Sequence, residues 1–127
     1  MKILIITDDA MLMKLGNSLN HVSDGQMIIY NSGANPLSVL AFVYENNPSL
    51  LIVDDDYLKP NSAQIIDTIR KMNKNLSIVF VTSDPGLELG KEISQLGILY
   101  YAIKPLVESE LEDVLNSINN SKDKLTY

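Results

Sequence analysis

Three aspartates stand in a row in the stretch LIVDDDYLKP, Leu51 to Pro60, directly after an apolar run. Asp8 and Asp9 follow a second such run, KILIIT, and Thr82, Ser83 and Asp84 follow a third, SIVFV. A fourth run, ILYYAI, ends in Lys104-Pro105. Carboxylates gathered at one spot repel one another and resist burial, so something positive must offset them. Lys104 supplies one unit of charge. A hard divalent cation is the natural remainder, because Mg2+ takes oxygen ligands, keeps several waters and uses one or two carboxylates beside a phosphate oxygen. A lysine and a hydroxyl close by would then serve a phosphoryl group, by charge and by hydrogen bond.

That chemistry requires the runs to end side by side. Lys2–Thr7, Met27–Tyr30, Leu50–Val53, Ser77–Val81 and Ile98–Ile103 are continuous, not alternating, and rich in Ile and Val. Strands buried on both faces of a parallel sheet read this way. Between them lie segments of helical spacing. Met11, Leu15 and Leu19 share one face, as do Leu37, Leu40 and Tyr44, then Ile65, Ile69 and Met72. Leu89, Ile93 and Leu96 make the fourth, and Val107, Leu111, Val114 and Ile118 the fifth. Asn35-Pro36 and Asp84-Pro85 read as a capping side chain with proline at the first helical position, and Ser109 with Glu112 as a capping box. Five βα units with right-handed crossovers give a doubly wound α/β domain with helices on both faces. Ligands bind such sheets beyond the carboxyl ends of the strands.

The 127 residues suffice for one domain, and no repeat or composition break marks a second. We expect the domain over 1–119 and a polar tail over 120–127. A net charge of −6 argues against direct binding of nucleic acid. The absence of cysteine excludes disulfides and thiolate chemistry, and the single His21 excludes a multi-histidine metal site. The run Ile3–Ile6 is too short for a signal peptide or a membrane span, so the expectation is a cytoplasmic protein without a membrane partner.

The stretches ILIITDD, PSLLIVDD, IVFVTS and YAIKP, in this order and spacing, resemble the receiver domain of two-component response regulators over Lys2 to Asn119. The resemblance implies a flavodoxin-like (βα)5 fold with strand order 2-1-3-4-5. It implies Asp54 as phosphoacceptor, and Mg2+ or Mn2+ bound by Asp8, Asp9, Asp54 and the backbone carbonyl of Asp56. Thr82 matches the hydroxyl that bonds the phosphoryl oxygens, Lys104 the lysine that pairs with them, and Tyr101 the aromatic residue that reorients with Thr82. Lys104-Pro105 is expected in the cis form. Asp56 and Asp84 match positions flanking the path of the hydrolytic water, and Asp55 receives no role. The implied donor is a phosphohistidine on a sensor histidine kinase or phosphotransfer protein, with Lys14 on the first helix a candidate docking contact. The implied receiver of the signal is an output domain or protein, reached through the face of the fourth helix, fifth strand and fifth helix. Such a domain promotes its own phosphorylation and dephosphorylation and does not turn over external substrates.

The chain departs from the family pattern at Leu58 and Ser62, where proline and glycine are usual, and carries Pro60 instead. Asp56 is therefore a rival for the acceptor position, but only Asp54 keeps Ile69-Arg70 in register without a gap. Two other readings stand beside this one. Asp54-x-Asp56 after a strand also resembles a haloacid-dehalogenase-like phosphatase, although that family's last acidic motif follows its lysine. An interaction module that signals without phosphorylation is the other.

Overall fold

Strands that are apolar along their whole length need cover on both faces, and the chain provides it. In the computed structural model, which describes residues 1–24 and 26–124, five strands form one parallel sheet in the order β2-β1-β3-β4-β5. They are β1 (Ile3–Ile6), β2 (Met27–Tyr30), β3 (Leu50–Asp54), β4 (Ser77–Thr82) and β5 (Tyr100–Ile103). The helices are α1 (Ala10–Ser18), α2 (Pro36–Asn46), the single turn α3 (Asp55–Leu58), α4 (Ser62–Met72), α5 (Leu87–Ser94) and α6 (Glu108–Lys124), with a 3-10 segment at Asn20–Ser23. The expected doubly wound fold and strand order are therefore present.

Residues alternate between two cores, as the period of two along a strand dictates. Leu4, Ile6, Val53 and Phe80 pack against α2, α4 and α5 on one face. Ile3, Ile5, Ile52 and Val79 pack against α1 and α6 on the other. α1 lies close on β1: a Cβ added at Gly16 would stand 2.5 Å from Ile5 Cδ1. The Arg70 guanidinium at the end of α4 reaches the carbonyl oxygens of Leu96 (3.1 Å) and Gly97 (2.9 Å), which ties α4 to the approach to β5.

Several local expectations need correction. Met11, Leu37 and Tyr44 are more than 70% exposed; of the expected faces Leu19 is buried and Leu15 and Leu40 are half-buried against the cores, and Leu12, Gly16, Val39 and Val43 complete them. These helices carry apolar residues on more than one side, so periodicity alone finds only part of the buried stripe. Asn35 does cap α2, its side chain accepting from Leu37 and Ser38 N–H with Pro36 next in line. Asp84 does not begin a helix: it accepts from Gly86 N–H at 2.7 Å in a turn, and α5 starts at Leu87. Ser109 lies inside α6, which starts one residue earlier. That helix continues to Lys124, and residues 125–127 of the expected tail lie outside the described ones. Among the described residues no helix is long and apolar enough to cross a membrane.

Candidate functional site

Parallel register decides which side chains meet at the carboxyl edge. Ile6 pairs with Val53, which sets Thr7 beside Asp54. Asp54 pairs with Val81, which sets Asp55 beside Thr82 and Asp56 beside Ser83. Thr82 pairs with Ile103, which brings Lys104 to the same edge.

Each aspartate of the triplet accordingly takes a hydroxyl from a neighbouring strand end. Thr7 Oγ1 donates to Asp54 Oδ2 at 2.6 Å. Thr82 Oγ1 donates to Asp55 Oδ2 at 2.8 Å. Ser83 Oγ donates to Asp56 Oδ1 at 2.7 Å, and the Ser83 N–H to Asp56 Oδ2 at 3.2 Å. Asp54 is 1% exposed, and its other oxygen accepts from Asp56 N–H at 3.1 Å.

Lys104 Nζ stands among three carboxylates, 2.9 Å from Asp9 Oδ2, 3.0 Å from Asp54 Oδ1 and 3.0 Å from Asp56 Oδ2. Burial disfavours the ammonium, but hydrogen bonds to Asp9, Asp54 and Asp56 outweigh it and raise the lysine well above its ordinary range. The hydrogen bond from Lys104 is the main reason that Asp9 is held below the usual carboxylate range. Burial pushes Asp56 up, and the Ser83 hydroxyl and Lys104 more than offset it, so Asp56 too is lowered. Asp9 also caps α1, Oδ1 accepting from Met11 N–H at 2.8 Å.

The structure thus brings together Asp9, Asp54, Asp56 and Lys104, with Thr82 one strand away. Asp8 is exposed and stands outside this network. Tyr101 packs on Phe80 with ring centroids 5.3 Å apart, and its buried hydroxyl finds no hydrogen-bond partner among the described residues. Burial, then the charges of Asp55 and Asp84, raise its pKa. Lys104-Pro105 is cis, as expected, and so is Lys59-Pro60. Leu58 and Ser62, where the chain departs from the family pattern, are both buried, at the end of α3 and the start of α4. The oxygen donors Asp8, Asp9 and Asp54 suit a hard divalent cation in chemistry and charge. Among the described residues no three metal-binding side chains stand together as a ligand set, and Lys104 Nζ pairs with Asp9 and Asp54.

Sequence reading passed over Thr7, Asp55 and Ser83. The signal was a hydroxyl residue at the end of every strand flanking the acidic triplet, which becomes readable once the register is known. Thr7 is fully buried, and a hydrogen bond to a charged group contributes about 2 kcal/mol. Thr7→Val is therefore expected to lower the unfolding free energy by about 2 kcal/mol. A urea titration showing no change in midpoint would contradict that role.

A groove of about 640 Å³ opens beside the acidic site, between α1 and the segment after β5. Its lining includes Asp9, Met11, Lys14, Leu15, Lys104 and Leu106.

No family model matches the chain. Among curated proteins it is 23% identical over 124 residues to a protein of Bacillus subtilis (strain 168) described as a probable C4-dicarboxylate response regulator, DctR. The match covers 98% of this chain and 54% of that protein, so the chain spans about half the length of this relative. Solved structures of similar shape include the response regulatory domain of mrkE from Klebsiella pneumoniae (TM-score 0.76, 23% identity, 98% of this chain and 99% of that one). A CheY-like receiver domain protein from Methanospirillum hungatei JF-1 superposes with a TM-score of 0.78 at 18% identity, covering 97% of each chain. A LuxR-family DNA-binding response regulator from Staphylococcus aureus gives 0.73 at 22% identity, over 94% of this chain and 99% of that one. The fold of this chain is the fold of response-regulator receiver domains.

Proposed function

We propose that this chain is a phosphoacceptor receiver domain, in which Asp54 takes a phosphoryl group from a phosphohistidine on a sensor histidine kinase or phosphotransfer protein. The observation that carries the reading is a buried aspartate at the carboxyl end of the central strand, ion-paired to Lys104, in a chain of receiver fold.

In this reading an Asp54 oxygen forms a new bond to phosphorus as the bond to the donor breaks. Phosphoryl transfer asks for positioning and charge more than for acid–base work. Thr7 and the Asp56 N–H each hold one of the two carboxylate oxygens and orient the nucleophile. Lys104 is fully protonated at neutral pH and moves its charge from the carboxylates to the incoming phosphoryl oxygens. Thr82 donates its hydroxyl to another of those oxygens. Mg2+ (or Mn2+) held by Asp8, Asp9, Asp54 and the Asp56 carbonyl would supply the remaining neutralisation of charge. The donor approaches along the groove between α1 and the segment after β5, where Lys14 is a contact. Inward movement of Thr82 and reorientation of Tyr101 alter the face formed by α5, β5 and α6, which an output domain or protein reads. The domain catalyses its own phosphorylation and dephosphorylation, with no turnover of external substrates.

Incubation with acetyl phosphate and Mg2+ tests the reading by intact mass. The expected result is a gain of one phosphoryl group, labile to hydroxylamine and lost in Asp54→Asn. No gain with Mg2+ or Mn2+ would overturn it in favour of an interaction module that works unphosphorylated. Steady release of phosphate from unrelated esters would instead indicate a phosphatase.

A further inference from the structure

Asp55 is a second buried carboxylate, 5% exposed, and the phosphoacceptor mechanism makes no use of it. Its Oδ2 holds the hydroxyl of Thr82, which is itself fully buried. That hydroxyl has one hydrogen to give. Its oxygen is also engaged as acceptor, taking the Asp84 N–H at 3.0 Å, so Thr82 is fixed from both sides. Bonding a phosphoryl oxygen therefore requires Thr82 to withdraw its hydrogen from Asp55.

We infer that Asp55 is a positioning residue that latches Thr82 in the resting arrangement and competes with a phosphoryl group on Asp54 for the Thr82 hydrogen. The inference rests on the phosphoacceptor reading. A buried carboxylate stripped of its donor is costly, which gives the latch its strength. The Tyr101 hydroxyl is a buried donor with no partner among the described residues, and the charge of Asp55 reaches it. It can satisfy Asp55 once Thr82 has left, so opening of the latch and reorientation of Tyr101 become one event. The adjacent aspartates thus have opposed duties: Asp54 accepts the phosphoryl group and Asp55 resists the response to it.

The test is a titration with beryllofluoride and Mg2+, a phosphoryl mimic, followed through the Thr82 methyl signal by NMR. Asp55→Leu is expected to tighten apparent binding about tenfold and to move the resting Thr82 signal toward its beryllofluoride-bound position. In a Thr82→Ala background, read through the methyl of the introduced alanine, the same substitution should change affinity less than about twofold, because the competition has been removed. Asp55→Asn, which is nearly isosteric, keeps an acceptor but loses the charge, so it should tighten binding less than leucine and again only where Thr82 is present, and it covers the case in which the leucine variant does not fold. Equal tightening in both backgrounds would assign the effect to charge alone and overturn the latch. Unchanged affinity would also overturn it, while leaving the phosphoacceptor reading intact. Wild-type protein that neither binds beryllofluoride nor gains a phosphoryl group would remove that reading, and the latch with it.

Discussion

Lys104→Met is expected to lower the unfolding free energy by about 3 kcal/mol at neutral pH. The lysine is the shared counter-charge of Asp9, Asp54 and Asp56, and of these Asp54 is almost fully buried. Removing one partner of a buried ion pair leaves an uncompensated charge, and the two more exposed carboxylates bring the expected loss to the lower end of the usual range. The sign of the pH dependence follows from the same contacts. Asp9 and Asp56 are held below the usual carboxylate range when folded. Their contribution is present above the unfolded value near about pH 4 and is lost as pH falls through the lower folded value. The raised Lys104 contributes fully below the ordinary lysine pKa, so it adds no slope between about pH 5 and 9. Wild-type stability should be flat across that window and fall below about pH 4. In Lys104→Met the carboxylates lose their counter-charge and take up protons more readily, so the gap to wild type narrows on acidification. Urea midpoints at about pH 4, 5 and 7 measure this, and a gap that does not narrow would contradict it.

Phe80→Ala is expected to cost about 4 kcal/mol, or roughly 15 °C in melting temperature. Phe80 is fully buried on β4 within the core beneath α4 and α5, and Tyr101 packs on its ring. Truncation removes the largest fully buried side chain and leaves a cavity in the sheet face that supports Tyr101. A loss below about 1 kcal/mol in calorimetry would mean that the neighbouring side chains collapse into the space.

The fold was legible because the five apolar runs are continuous and evenly interrupted, a pattern that few architectures other than a covered parallel sheet can bury. The helix faces were less legible. Met11, Leu37 and Tyr44 are apolar and yet exposed, so hydrophobic spacing had two competing stripes to choose from. At the site, the gathering of aspartates and Lys104 at strand ends was readable from the runs, whereas Asp54 was singled out from the triplet only by the resemblance to receiver domains. What stayed hidden was the partnering of each aspartate with one hydroxyl, Asp54 with Thr7, Asp55 with Thr82 and Asp56 with Ser83. That pairing depends on inter-strand register, which the local pattern of a single strand does not encode. The turn after β3 was hidden for a similar reason. Leu58 is apolar and buried, so α3 docks on the core in a segment where proline and glycine spacing was the only guide available.

The separation of duties within Asp54-Asp55-Asp56 is the central claim, and trapping the acyl phosphate tests it most directly. Protein treated with acetyl phosphate and Mg2+ is reduced with borohydride, which converts a phosphorylated aspartate to homoserine, and the modified peptide is sequenced by mass spectrometry. Homoserine at position 54 alone is the expected result. Homoserine at position 55 or 56 in place of 54, or spread over the triplet, would contradict the assignment.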